Sequence, residues 1–280
     1  LLVAIYHCLM LSGVTTLHTW GLYGVYIFFV ISGAVLYLNY SDIDSRQAPQ
    51  FLFKRFARLA PLIWICILVP AILRGSFVPD RYFLNLSLLN GFTSPGQTSY
   101  LTGAWSIGIE FVLYALFPVL IAFTKDVRAM FAALAIFLAM RMAFVSAIDD
   151  RSFNEGWSIY TQPGAFLFFF FAGMMLAKLR NHIRQDVAIC TGIAAALLIF
   201  LNPGESFEDV TRGWTGLALT LLCVIAVAGF MWSPKYGVCV CKFFGDISYG
   251  LYLLHPLIWS TLRHMPSLSN TQRIVATLIL

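Results

Sequence analysis

From Leu22 to Tyr40 the chain runs without a charged side chain, and runs of this kind recur to its last residue with short polar gaps between them. At about 1.5 Å of rise per residue, such a run wound as an α-helix spans a hydrocarbon core of about 30 Å. Lipid offers no hydrogen bonds, so each run must satisfy its own backbone, which leaves helices or a closed barrel. Barrel strands would show alternating segments of about 10 residues, and these runs do not alternate. With 60% hydrophobic and 11% charged residues and a mean hydropathy of +0.81, a soluble globular fold is excluded. The expectation is an all-α polytopic membrane bundle of about ten transmembrane helices, in a single domain over residues 1–280.

The expected spans are Leu1–Leu17, Leu22–Tyr40, Leu59–Leu73, Gly103–Phe123, Val127–Ile148, Pro163–Leu179, Val187–Leu201, Trp214–Trp232, Ile247–Leu262, and one beginning near Ile274. A shorter apolar piece, Phe83–Leu89, reads as a partial or interfacial helix. The first and last runs are cut by the chain ends, so both terminal helices are expected to be incomplete. Lys and Arg concentrate in alternate gaps: Arg46, Lys54, Arg55, Arg58, Lys125, Arg128, Lys178, Arg180, Arg184, Lys235 and Lys242 fall on one side. Short cytoplasmic loops retain positive charge, which makes that side the inner one. The net charge of +5 is explained by these loops and does not point to nucleic acid.

Four ionisable side chains then lie at middle to outer membrane depth: His7, Glu110, Arg141 and His255. A charge there costs roughly 2.5 kcal/mol or more unless it faces the protein interior and finds a partner, so such groups read as functional by default. Glu110 and Arg141 stand on antiparallel neighbours and are placed to meet as an ion pair. His255 precedes Pro256, which frees a helical carbonyl and bends the axis. Cys239 and Cys241 are the one close pair of cysteines, and a single intervening residue fits neither a zinc site nor a relaxed disulfide. No metal site is expected.

Five ordered motifs resemble the acyltransferase-3 family of integral-membrane O-acyltransferases. They are Tyr6-His7; the run Gly21 to Gly33 containing Phe28-Phe29-Val30-Ile31-Ser32-Gly33; Phe53-Lys54-Arg55-Phe56-Ala57-Arg58-Leu59-Ala60-Pro61; Trp105-Ser106-Ile107-Gly108-Ile109-Glu110 with Tyr114 and Pro118; and Gly245-Asp246-Ile247-Ser248-Tyr249-Gly250-Leu251-Tyr252-Leu253-Leu254-His255. The resemblance implies a ten-helix domain that moves an acyl group, most often acetyl from acetyl-CoA, onto a hydroxyl of a cell-envelope glycan, glycolipid or other acceptor. It implies a catalytic motif histidine, His7, and an essential Arg-x-x-Arg pair, Arg55 and Arg58. The family's arginine eleven positions before that histidine would here precede Leu1. A multi-pass location in the bacterial inner membrane follows from the same resemblance.

The side chains support a matching chemistry. Transfer to a hydroxyl needs a proton acceptor, and a neutral imidazole suits that role, which makes His7 the general base. Glu110 is expected beside it, fixing its tautomer. Covalent catalysis through His7 stays open. Arg55 and Arg58, three apart, share one helix face and can grip the phosphates of acyl-CoA; the alternative is an anchor to lipid phosphates. Arg141, Ser32, Trp105, Tyr249 and His255 are candidates for the acceptor pocket or its support. Depth then suggests a thioester threading from the arginines toward His7, with the acceptor entering from outside. The competing classes are a transporter or lipid-flipping protein and a non-catalytic membrane sensor.

Overall fold

The computed structural model describes residues 2–12, 19–74, 78–148, 151–201, 204, 206–232, 238–262, 265 and 268–279, with the backbone alone at 2, 11, 73, 74, 238–241, 243, 244 and 279. The helices are α1 (Leu2–Leu11), α2 (Trp20–Tyr40), α3 (Ala48–Arg74), α4 (Pro79–Leu86), a 3-10 turn (Leu89–Phe92), α5 (Pro95–Thr98), α6 (Ala104–Thr124), α7 (Val127–Ile148), α8 (Phe153–Tyr160), α9 (Gly164–Leu179), α10 (Gln185–Leu201), α11 (Phe207–Thr211), α12 (Gly213–Met231), α13 (Val238–Leu262) and α14 (Asn270–Ile279). No strand occurs among the described residues. The bundle is all-α, and the expected spans are helical over their described residues apart from a residue at some ends, whereas the shorter piece Phe83–Leu89 is broken by a turn at Ser87 and Leu88.

By length and composition, α2, α3, α6, α7 and α12 can each cross a membrane. The bent pair α8 and α9, angled at 41°, makes a sixth span if the two are one. The expected count of ten spans is therefore not reached among the described residues. The described parts of α1 and α14 are 10 residues each, and α10 is 17. The α3 helix begins at Ala48 rather than Leu59, with Pro49 in its first turn. Proline is preorganised for that position, and Lys and Arg are good helix formers, so the basic stretch continues the helix. Arg55 and Arg58 are consequently helical, about 10 and 15 Å along its axis.

Lipid tails are as apolar as leucine, so helices in lipid associate through close packing rather than hydrophobic drive. Glycines supply that packing here. A Cβ at Gly33 would overlap the carbonyl of Phe170, and one at Gly173 would overlap the carbonyl of Val30, so α2 and α9 meet backbone to backbone. Gly192 of α10 and Gly229 of α12 face each other in the same way. The aromatic stripe Phe166 to Phe171 belongs to the core. Phe166 and Phe168 to Phe171 are buried, and Phe166 packs against Tyr26, Phe29, Trp105 and Tyr160. The outer surface is apolar instead, with Ile65, Ile72, Ile136, Leu197 and Phe200 all exposed. A soluble monomer rarely shows so much apolar surface; a hydrocarbon-facing one requires it.

Candidate active site

The site is assembled where α1 packs on α13. Nδ1 of His7 lies 2.8 Å from Nε2 of His255. His255 is fully buried, and its Nδ1 sits 3.0 Å from the carbonyl oxygen of Leu251 one turn earlier. The expected contact between His7 and Glu110 does not form. The α1 helix packs against α2, α13 and α14, so the imidazole of α13 takes the place assigned to the carboxylate.

The His7 ring lines a cavity of about 110 Å³ together with Tyr6, Trp105, Phe153, Trp157, Phe207 and Tyr252. Trp105, a candidate for the acceptor pocket or its support, lines this cavity, as do aromatics of α8 and α11 that were not singled out from the sequence. Those short helices are too brief for a hydropathy window. Their signal is local: Ser152 and Glu155 form a capping box at the start of α8, as do Ser206 and Asp209 at the start of α11. Neither Glu110 nor the arginine pair lines this cavity.

Glu110, buried in α6, belongs to a second polar group. Tyr114, one turn further along α6, donates its hydroxyl proton to the Glu110 carboxylate. Ser32 of α2 lies close enough to hydrogen-bond both side chains, and the charges of Arg58 and Arg55 act on Glu110. Arg55 donates through Nη2 to the Tyr40 hydroxyl at 2.6 Å, and its guanidinium lies 4.8 Å from the Tyr40 ring centre and 5.4 Å from that of Phe51. Its Nε is buried without a partner among the described residues. Arg58 is exposed.

One helix face joins the two groups. Tyr249, Tyr252 and His255 recur every three residues of α13, over about 9 Å of rise. The Tyr249 hydroxyl donates to the Leu59 carbonyl at 2.5 Å and faces Glu110 and Arg58. Tyr252 meets Ser106 Oγ at 2.7 Å and donates to the Gly103 carbonyl at 2.8 Å, at the start of the helix that carries Glu110. His255 ends the row at His7. Tyr249 thus serves the arginine side rather than the cavity, while Tyr252, which lines the cavity, was not singled out from sequence.

Arg141 joins neither group. It donates from Nη2 to the Tyr26 hydroxyl at 2.8 Å and reaches Thr220 Oγ1 at 3.4 Å. The expected Glu110–Arg141 ion pair is absent: the salt bridges among the described residues are Arg184–Asp186 and Arg212–Glu208. Arg141 leaves α7 toward α2 and α12, away from Glu110. Between α9 and α10, Arg184 holds the Asp186 carboxyl below its ordinary range, and Lys178 donates to the carbonyl of Thr124. No group of three His, Cys, Asp or Glu residues suited to a metal occurs among the described residues. The side chains of Cys239 and Cys241 lie outside them.

The family model described as an acyltransferase domain matches residues 1–280. The chain belongs to the acyltransferase-3 family. This acyltransferase is 28% identical to the exopolysaccharide production protein ExoZ of Rhizobium meliloti, over 85% of its own length and 76% of the relative's. It is 30% identical to the peptidoglycan O-acetyltransferase OatA of Listeria monocytogenes over 90% of its length, spanning 47% of that protein. It is 25% identical to an O-acetyl transferase of Shigella phage Sf6, over 82% of its length and 71% of the relative's. The chain therefore spans about half of the Listeria protein. No solved structure matches it. Family membership and the apolar helices make this acyltransferase a multi-pass membrane protein. Its first and last motifs, Tyr6-His7 and Ser248 to His255, converge on one imidazole pair although their histidines stand 248 positions apart.

Proposed function

We propose that this acyltransferase moves an acyl group, acetyl being the family's commonest case, from acyl-CoA to a hydroxyl of a cell-envelope glycan, with His7 as general base. The observation that carries the reading is the placement of His7: a polar ring with one nitrogen engaged by His255, lining an aromatic-walled cavity with room for a short acyl group. The acceptor oxygen attacks the thioester carbonyl carbon while its proton passes to His7. The carbon–sulfur bond then breaks, and the same proton leaves on the thiol of coenzyme A. The glycan acceptor is supported by the printed names of the relatives, which concern an exopolysaccharide and peptidoglycan.

Arg55 and Arg58 are proposed as the phosphate-binding pair, entered from the cytoplasmic side. Glu110 sets their orientation through its charge rather than acting on His7. The α13 row from Tyr249 to His255 is the route along which the thioester reaches the base.

Sealed vesicles of known orientation test this reading. Acetyl-CoA is supplied on one side and a glycan acceptor on the other, with parent and His7→Ala proteins compared. Transfer by the parent alone, across the membrane, is the expected result. Transfer only when both substrates share one side, or equal transfer by His7→Ala, overturns it.

A further inference from the structure

The pairing of the two imidazoles determines where their protons sit. The ring centres of His7 and His255 are 5.0 Å apart and their planes differ by 15°. With 2.8 Å between Nδ1 of His7 and Nε2 of His255, the rings meet edge to edge through one shared proton. A neutral imidazole carries a proton on one nitrogen and a lone pair on the other, and the hydrogen bond at one nitrogen decides the state of its mate.

The far side of His255 identifies the owner of that proton. Its Nδ1 faces the Leu251 carbonyl at 3.0 Å and is also within hydrogen-bond reach of the Tyr252 carbonyl. Both oxygens can only accept, so Nδ1 of His255 carries a proton. The Tyr252 carbonyl is free for this because the residue four positions on is Pro256, which has no N–H to offer it. Neither ring takes part in a salt bridge among the described residues. A second proton on the buried His255 would therefore be an unpaired buried charge, which is strongly disfavoured. Neutral His255 presents a lone pair at Nε2, the shared proton belongs to Nδ1 of His7, and Nε2 of His7 is bare.

We propose that His255, held by the carbonyls of Leu251 and Tyr252, is a positioning residue that locks His7 in the tautomer whose unprotonated Nε2 accepts the proton of the acceptor hydroxyl. The inference rests on the reading of His7 as base. During transfer the hydroxyl proton moves to Nε2 of His7, giving an imidazolium whose Nδ1–H still donates to His255. His255 stabilises that charge without taking the proton. Release of the Nε2 proton to the thiolate of coenzyme A restores the starting tautomer, so no proton is gained or lost by the pair. An orienting carboxylate plays the corresponding part beside the histidine of a serine hydrolase. Here a neutral imidazole, aimed by a proline-freed carbonyl, does so without placing a second charge in the membrane.

The test uses the intact protein labelled with nitrogen-15 in histidine, in lipid nanodiscs, with the His7 signals assigned by their loss in His7→Asn. Nuclear magnetic resonance separates protonated from bare ring nitrogens. The wild type is expected to show Nδ1 of His7 protonated and Nε2 bare. His255→Leu is expected to lose this fixed pattern and to lower kcat by about 10²-fold or more, with the KM for acyl-CoA unchanged. His255→Gln, whose amide oxygen accepts from Nδ1–H, restores most of both. A bare Nδ1 in the wild type overturns the inference. So does an unchanged tautomer in a His255→Leu protein that keeps its thermal midpoint. A parent that shows the expected tautomer but transfers no acyl group defeats the acyl-transfer reading and leaves the positioning contact standing.

Discussion

Arg141 of α7 and Tyr26 of α2 meet at 2.8 Å where the arginine has no accessible surface, with the Tyr26 and Phe169 ring centres 5.1 and 5.3 Å from the guanidinium. A buried cation with no carboxylate depends on such neutral donors of electron density. Tyr26→Phe removes the hydroxyl and leaves the charge in place, so it should destabilise by about 1.5–3 kcal/mol. Adding Arg141→Met to that variant removes the charge as well and should recover part of the loss. Thermal midpoints of the two single variants and the double variant in detergent measure the coupling, and strict additivity would show that the contact carries no energy.

The approach of α2 and α9 has its own test. Gly33→Ala places a methyl against the backbone of Phe170, where no rotamer change relieves the overlap. The two helices must separate, at a cost of about 1–3 kcal/mol. Gly250→Ala in α13 meets nothing within 4 Å. That change should stabilise by about 0.5–1 kcal/mol, as alanine for glycine does inside a helix. A midpoint lowered by the first substitution and raised by the second checks both.

Tyr252 ties α13 to the start of α6 through Ser106 and the carbonyl of Gly103, a residue held at φ 85°. Tyr252→Phe breaks both bonds and should cost about 1 kcal/mol for each. Ser106→Ala removes the contact with Tyr252 and also the serine's own bond to the Gly103 carbonyl at 3.0 Å, while the Tyr252 hydroxyl keeps its bond to Gly103. Each variant removes two bonds, so similar losses of about 2 kcal/mol are expected in the same unfolding assay, and a loss confined to the serine variant would show that the tyrosine hydroxyl contributes nothing.

The proposed phosphate-binding role of the arginine pair predicts an effect on donor binding that is separate from the chemistry. Arg58→Ala is expected to raise the KM for acyl-CoA by about 10-fold with a smaller change in kcat, as loss of a charge-assisted phosphate contact does. Arg55→Lys keeps the charge but surrenders the planar fork lying against Tyr40 and Phe51, so it should not restore full affinity. Glu110→Gln should change the same KM and leave the tautomer of His7 untouched. Steady-state kinetics with acetyl-CoA as varied substrate reads all three, and a kcat effect with unchanged KM would move the arginines away from the donor.

Particular residues show how far the sequence could be read. The apolar helices were legible because each depends on local chemistry. An uncharged run of helical length satisfies its own backbone in lipid by winding as a helix. Glu110 and Arg141 were legible as buried charges but not as to partner. Hydropathy reports depth along a helix, whereas the direction in which a side chain leaves it depends on how that helix is rotated against its neighbours. Arg55 and Arg58, expected to share one helix face just ahead of a span from Leu59, lie inside α3, which already begins at Ala48.

Composition and the spacing of apolar runs alone determine that this chain is an all-α membrane protein, and its ordered motifs determine its family. Tertiary structure decided which imidazole faces which. His7 and His255 stand 248 positions apart, and only the seating of α1 against α13 turns two isolated histidines into a pair. A hydrogen bond needs both a distance and a direction, and a linear sequence specifies neither until the helices are packed.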